Sequence, residues 1–418
     1  MDGSVRDETT DEDPLDGKEK VSPMFCSRAV AHIDLGAFTS NLQVAHMTCA
    51  EQSLLPIIKA NGYGHGLEAI GGALLALRKT MGGSRLEGCA VAALSEAQRL
   101  RAAGWDMPIV LLPGCINAAE LQECRQLNID LVIHSLYQVA LVQECAAADA
   151  AVACAAMESG SLRPPPALGI ARVWLKANTG MNRLGMNEGE WREAYAALSK
   201  LPLTIVAMSH LACADDLESS ATLDAQQRFK TLVSETPVEK GIVLRQTLAA
   251  SGGILAWPRT HFDIVRPGIM MYGSSPFAPL RSATSLGLKP VMTLRSRLIS
   301  INEVEPGTAV GYGASFVAEK TMKIGTVTVG YGDGYPRKAP SGTPVLVRTS
   351  SGMCRTALAG RVSMDMITID VTDLDVAPGA EVVLWGEGLP ADEIALCCGT
   401  IAYELFCQVT PRVERHLV

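Results

Sequence analysis

Between residues 54 and 273, short apolar runs alternate with stretches of helical patterning, eight times over. The runs lie at 54–60, 89–94, 108–113, 130–134, 172–177, 204–210, 244–250 and 263–269. They are apolar at consecutive positions, the pattern of strands covered on both faces. One intervening segment, 95–104, has apolar residues at helical spacing, with Ser95 expected as its N-cap and Gly104 as its stop. Eight doubly buried strands separated by helices predict a parallel sheet, and closing that sheet gives an α/β fold, the (β/α)8 barrel of TIM type.

Such a barrel takes about 250 residues, whereas the chain has 418. The surplus from about 285 onward has another texture: β-rich runs at 323–330, 343–348, 366–371 and 381–385, separated by turn residues such as Pro340-Ser341-Gly342 and Pro378-Gly379. We expect a barrel over 26–280 and a separate mostly-β domain over 281–418. A further strand pattern at 29–35 is not assigned to either sheet by sequence. Residues 1–25 read as a disordered acidic tail, and 79–88 and 158–170 as long loops.

Hydrophobic residues make up 48% and charged residues 19%, which excludes intrinsic disorder for most of the chain. Net charge is −8 and no basic stripe is present, so nucleic acid is excluded as a partner. No apolar run reaches the roughly eighteen residues that span a bilayer. The twelve cysteines are scattered without a Cys-x-x-Cys pair, and no secretory signal is recognisable, so reduced thiols and a cytoplasmic location are expected. A small molecule is the expected ligand, and no metal site is.

The strongest local signal is Pro56-Ile57-Ile58-Lys59-Ala60-Asn61-Gly62-Tyr63-Gly64-His65-Gly66. Lys59 would stand at the C-terminal end of the first barrel strand, where barrel active sites lie, and its amine can form a Schiff base with a cofactor aldehyde. Glycines in the following loop let backbone approach a ligand closely.

This segment resembles the pyridoxal-phosphate attachment motif of alanine racemases, and the resemblance runs from about Val30 to Arg412. It implies pyridoxal 5'-phosphate as cofactor, Lys59 as the lysine holding it and Tyr63 as a phosphate contact; His65 is read as stabilising the loop. In Lys176-Ala177-Asn178-Thr179-Gly180-Met181-Asn182-Arg183, the resemblance implies that Arg183 donates to the cofactor and holds the substrate carboxylate, for which a guanidinium fork is suited. Lys176, carbamylated in many relatives, would orient Arg183.

His210 after the sixth strand would link an arginine to a tyrosine base, and Arg266 in the eighth would face the pyridine nitrogen. An arginine keeps its own proton, so the ring is a weaker electron sink, which suits racemisation over transamination. Ser251 and the backbone N–H groups of Gly268 and Ile269 would complete the phosphate cup. In the β domain, Tyr312 matches the second catalytic base, supplied across a head-to-tail homodimer with shared active sites. The backbone N–H of Met364 would bind the substrate carboxylate, and Tyr331 and Asp365 would shape the entrance.

The activity so implied is interconversion of L- and D-alanine by two bases on a pyridoxal phosphate aldimine. A racemase of serine or of a broader range of small amino acids is the neighbouring alternative. A decarboxylase of the same two-domain plan lacks support, because its Gly-Gly-Gly phosphate motif is missing and Tyr312 would be unexplained.

Overall fold

A computed structural model describes residues 28–80, 85–158, 169–238 and 243–418; the acidic tail and most of the Pro164-Pro165-Pro166 loop lie outside the described residues. The first strand, β1 (Val30–Ile33), is followed by the barrel strands β2 (Ser53–Leu54), β3 (Cys89–Val91), β4 (Ile109–Leu111), β5 (Ile129–Ile133), β6 (Arg172–Lys176), β7 (Thr204–Met208), β8 (Arg245–Ala250) and β9 (Ile264–Arg266). Strands β2 to β9 form one parallel sheet in the order β2-β9-β8-β7-β6-β5-β4-β3. Its two ends meet: Ala90 N–H donates to Pro56 O at 2.9 Å and Ile58 N–H to Ala90 O at 3.0 Å, so the sheet closes into a barrel.

The expected apolar runs are the strands because both faces are covered; β3, β4 and β5 are buried at every position. The expectation for 95–104 needs correction. That helix is Leu94–Ala102, so Ser95 lies inside it, and the Glu96 carboxylate accepts the N–H of Ala93 just ahead of the first turn. A carboxylate reaching back from the first turn replaced the hydroxyl cap we expected.

At the N-terminal end of the barrel, Arg172 pairs with Glu87 at 2.7 Å and with Asp130 at 2.7 Å, and Arg245 pairs with Glu87 at 2.6 Å. This charged plug ties several strands together at that end, leaving the C-terminal end for chemistry.

The second sheet contains β10 (Met292–Val304), then β13 (Met322–Val327), β14 (Pro344–Thr349), β15 (Gly352–Ala357), β16 (Ile367–Asp370), β17 (Glu381–Trp385) and β18 (Glu414–Leu417). β10 is irregular between Leu298 and Ser300: its first half pairs with β1 and β17, its second half with β13. β1 therefore belongs to this sheet, antiparallel to β10 and parallel to β18. Between β10 and β13, the hairpin β11 (Ala309–Val310) and β12 (Phe316–Val317) carries Tyr312 at its tip.

The two domains pack together. Asp392 accepts hydrogen bonds from Ser274 Oγ and from Ser275 N–H, the latter at 3.1 Å, and the helix Ala402–Gln408 lies against the segment following Lys59.

Candidate active site

Lys59 opens the Lys59–Tyr63 segment, whose hand is reversed: Ala60, Asn61, Gly62, Tyr63 and Gly64 all have positive φ, between 50° and 78°. Such a turn is unfavourable for side-chain-bearing residues and needs support from outside. The C-terminal domain supplies part of it. Arg415 Nε donates to Gly64 O at 2.6 Å, and a Cβ on Gly64 would strike the Phe406 carbonyl. His65 is fully buried, and its Nδ1–H donates to Tyr63 O at 2.8 Å, the loop-stabilising role expected of it.

Around Lys59 the barrel mouth collects positive charge. Lys176 ends β6 and is buried, and desolvation, then the charges of Arg266, Arg183 and Lys59, push its amine down to about 8. Lys59 is lowered too, by burial first and then by Arg183. Arg266 is buried, and burial pushes it down to about 9. Among the described residues, Lys59, Lys176, Arg183 and Arg266 form no ion pair with a carboxylate. Concentrated positive charge that no carboxylate pairs directly is a site prepared for anionic groups.

Arg266 binds neutral acceptors instead: Thr247 Oγ1 at 2.7 Å, Ser209 O at 2.6 Å, Leu248 O at 2.9 Å and His210 Nδ1 at 3.3 Å. An arginine only donates, so His210 Nδ1 is the acceptor and the ring proton is on Nε2. Burial and the nearby cations push His210 down to about 3, so the imidazole is neutral at physiological pH, with Nε2–H available as a donor.

Beside this cluster, Tyr63, Ser251 and Gly268 converge. A Cβ on Gly268 would lie 3.1 Å from Tyr63 Oη and 3.8 Å from Ser251 Oγ, and Gly268 N–H donates to Ser251 Oγ at 3.0 Å. Ile269 opens the 3₁₀ turn Ile269–Tyr272 that follows. Tyr63 stacks on Tyr272 with centroids 4.6 Å apart, and burial raises its hydroxyl well above the usual phenol range, keeping it a donor. This cradle of hydroxyl and amide donors has the chemistry a phosphate requires.

Sequence reasoning missed the props behind the cradle. His261 Nε2–H donates to Gly253 O and Ile254 O at 3.2 and 3.1 Å, which leaves Nδ1 to accept the thiol of Cys49 at 3.3 Å. Burial holds that thiol at about 12, so it stays protonated.

The β-domain residues are gathered elsewhere. Tyr312 is 72% exposed, and the space beside Gly313 is occupied by Arg361 of the same domain. Met364 and Tyr331 are exposed as well, on two loops stitched together: Tyr331 N–H donates to Ser363 O at 3.1 Å and Gly332 N–H to Met364 O at 2.9 Å. Asp365 pairs with Arg412 at 2.7 Å and Arg28 at 3.5 Å, and both arginines also reach the buried Asp333. The Gly332-Asp333-Gly334 turn is thus anchored by charge, which its turn-like sequence did not reveal. Among the described residues, no hydrogen bond or ion pair joins Tyr312 to Lys59, His210 or Arg266.

Residues 33–276 match the family model described as alanine racemase, N-terminal domain, and residues 291–417 that described as alanine racemase, C-terminal domain. The chain belongs to the alanine racemase family. The alanine racemase of Alcanivorax borkumensis is 43% identical over 390 residues, 92% of this chain and 98% of that one. That of Vibrio cholerae is 40% identical over 392 residues, 92% of this chain and 97% of its own. The crystal structure of the biosynthetic alanine racemase from Pseudomonas aeruginosa superposes with a TM-score of 0.80 at 39% identity, covering 94% of this chain and all of that one. The alanine racemase of Bartonella henselae, solved with covalently bound pyridoxal phosphate, has a TM-score of 0.75 at 25% identity over 94% of this chain and all of its own. The two family models split this racemase chain between its two sheets, apart from β1, most of which precedes the first match.

Proposed function

We propose that this member of the family interconverts L- and D-alanine, with Lys59 and the Tyr312 of a second copy as the two groups that exchange the Cα proton. The observation carrying this reading is the set of four cations at the barrel mouth, unpaired with carboxylates and beside a hydroxyl-and-amide cradle. The cradle supports reading Tyr63, Ser251, Gly268 and Ile269 as the residues that would hold the phosphate of pyridoxal 5'-phosphate, with Lys59 as the residue that would hold the cofactor covalently. When bound, this cofactor supplies the ring that draws off the electron pair left when the Cα proton departs.

Lys59 Nζ, lowered by burial, spends more time neutral than a surface lysine and so can take a proton on the D-alanine side. Tyr312 Oη serves the L-alanine side. A phenol of pKa near 10 needs support to act as a base at neutral pH. His210 Nε2–H, aligned by Arg266, is the donor that supports it once a partner's hairpin reaches the barrel mouth. Arg266 retains its proton at neutral pH and so donates toward the ring nitrogen without giving a proton up. Arg183 and the Met364 N–H hold the substrate carboxylate, the latter from the partner chain, with Tyr331 and Asp365 at the entrance. An amine at about 8 is partly neutral, and Lys176 can join carbon dioxide through nitrogen with loss of one proton, giving Arg183 an anion to rest against.

This reading requires a homodimer with shared sites, a barrel spanning 26–280 except for the strand lent to the other sheet, and a β domain over 281–418. No helix among the described residues is long and apolar enough to cross a membrane, and we place the enzyme in the cytoplasm. Purified protein incubated with L-alanine, and separately with L-serine, followed by chiral separation of the products, tests the reading. D-alanine formation is expected. Carbon dioxide release without D-alanine overturns it, and D-serine at a comparable rate widens the substrate to small amino acids.

A further inference from the structure

Glu96 is a buried carboxylate that forms no ion pair among the described residues. Its oxygens accept three backbone N–H groups: Asn61 at 2.9 Å on Oε1, and Ala92 and Ala93 at 3.0 and 3.2 Å on Oε2. Asn61 is the second residue of the left-handed turn behind Lys59. The side chain of Asn61 is engaged as well, its Oδ1 accepting Leu67 N–H at 3.2 Å and Arg99 Nη2 at 3.0 Å, while Arg99 is held by Glu68 at 2.7 Å. Backbone and side chain of one residue are thus both fixed by the helix Leu94–Ala102.

We propose that Glu96 is a positioning residue for Lys59: by clamping the Asn61 amide it holds the reversed turn and fixes the direction in which the Lys59 amine leaves the backbone. This rests on reading Lys59 as the cofactor lysine. A run of five residues with positive φ, three of them bearing side chains, stores strain that relaxes unless several contacts over-determine it. The carboxylate is suited to the task because it only accepts, and three donors face it. Glutamine in its place would turn an NH₂ against at least one of those donors, and alanine would leave all three without their acceptor.

The test uses the full-length chain freed of cofactor, given pyridoxal 5'-phosphate, and reduced with borohydride at timed intervals; the labelled Lys59 peptide is quantified by mass. Rates are compared at the high-pH plateau, where the amine is neutral in every variant, so charge effects on Lys59 drop out. Glu96→Ala is expected to label at least about tenfold more slowly, the equivalent of losing one hydrogen bond to a charged group, with Glu96→Gln between it and the parent. The Asn61 amide should exchange with deuterium faster in both variants, in a chain whose other barrel amides remain protected. Should Glu96→Ala fail to fold, the near-isosteric Glu96→Gln carries the comparison. Labelling of folded variants at the parent's rate overturns the role of Glu96. A parent that does not label at Lys59 overturns the reading of Lys59 instead.

Discussion

The barrel mouth and the β-domain surface are built on opposite terms. At the mouth, Lys176 and Arg266 are buried, their protonation is displaced, and hydrogen bonds within the chain fix Arg266 in place. On the β domain, Tyr312 is 72% and Met364 52% exposed. One region is chemically prepared inside a single chain. The other is presented on exposed loops, and on the function proposed above its tyrosine would meet the His210 donor only at a partner's barrel mouth. If the site is divided as proposed, tuning is separated from delivery.

The comparison breaks most sharply under complementation. Tyr312→Phe should lower racemisation of L-alanine by about 10²–10⁴-fold, the usual worth of a positioned acid or base. Lys59→Ala should abolish turnover. Equal amounts of the two inactive proteins, unfolded and refolded together, should regain about a quarter of the parental activity, because half the dimers are mixed and each mixed dimer has one intact site. No recovery above the separate variants would place Lys59 and Tyr312 of one site on the same chain.

Next in size is Arg266→Met, which strands two buried carbonyls, Ser209 O and Leu248 O, and frees His210 to turn. We expect a loss of about 2–4 kcal/mol in stability, read from urea unfolding, with the far smaller effect of Arg361→Gln on the β domain as the contrast.

Lys176 gives a pH-dependent test of tuning by burial. Its folded pKa, about 8, lies below the ordinary lysine value of 10.5, so the unfolded chain binds more protons between those values and stability rises with pH across that window. Lys176→Met should therefore raise the melting temperature at pH 7, with the gain fading between about 8 and 10.5. Bicarbonate should shrink the gain by converting the parent's amine to a carbamate. A gain that is flat with pH would mean that the side chain's shape, and not its charge, sets the effect.

The smallest effect is expected from Arg412→Gln, at the exposed pair with Asp365. Stability should fall by less than about 1 kcal/mol. KM should rise a few-fold with kcat nearly unchanged, since the loop bearing Met364 loses one of its two arginine ties. An altered kcat with constant KM would argue against a carboxylate-holding loop.

Much of this was legible in the sequence because the physics was local. Strands buried on both faces leave unbroken apolar runs, so all eight barrel strands were found, although the first run, 54–60, continues past β2 (Ser53–Leu54) into the turn that opens at Lys59. Lys59, Lys176, His210 and Arg266 were placed by their position at or beyond strand ends. What escaped depends on distant partners or on backbone hand. The four residues of β1 are too few to assign to a sheet by pattern, and their partners lie beyond residue 290. Glu96 was not singled out, since nothing in its neighbourhood announces a reversed turn thirty-five positions earlier. Asp333 sat in a turn-like Gly-Asp-Gly, and only the fold brings Arg28 and Arg412 to it.

The place of β1 has a consequence for how the molecule comes into being. Because β1 lies between β10 and β18, the chain begins one sheet, leaves it to build the whole barrel, and returns to finish it with its final strand. On a ribosome the barrel strands are all delivered while β1 still waits for both neighbours. A chain cut short before β18 would therefore lose at one stroke a neighbour of β1 and the Arg415 brace on the turn that follows Lys59.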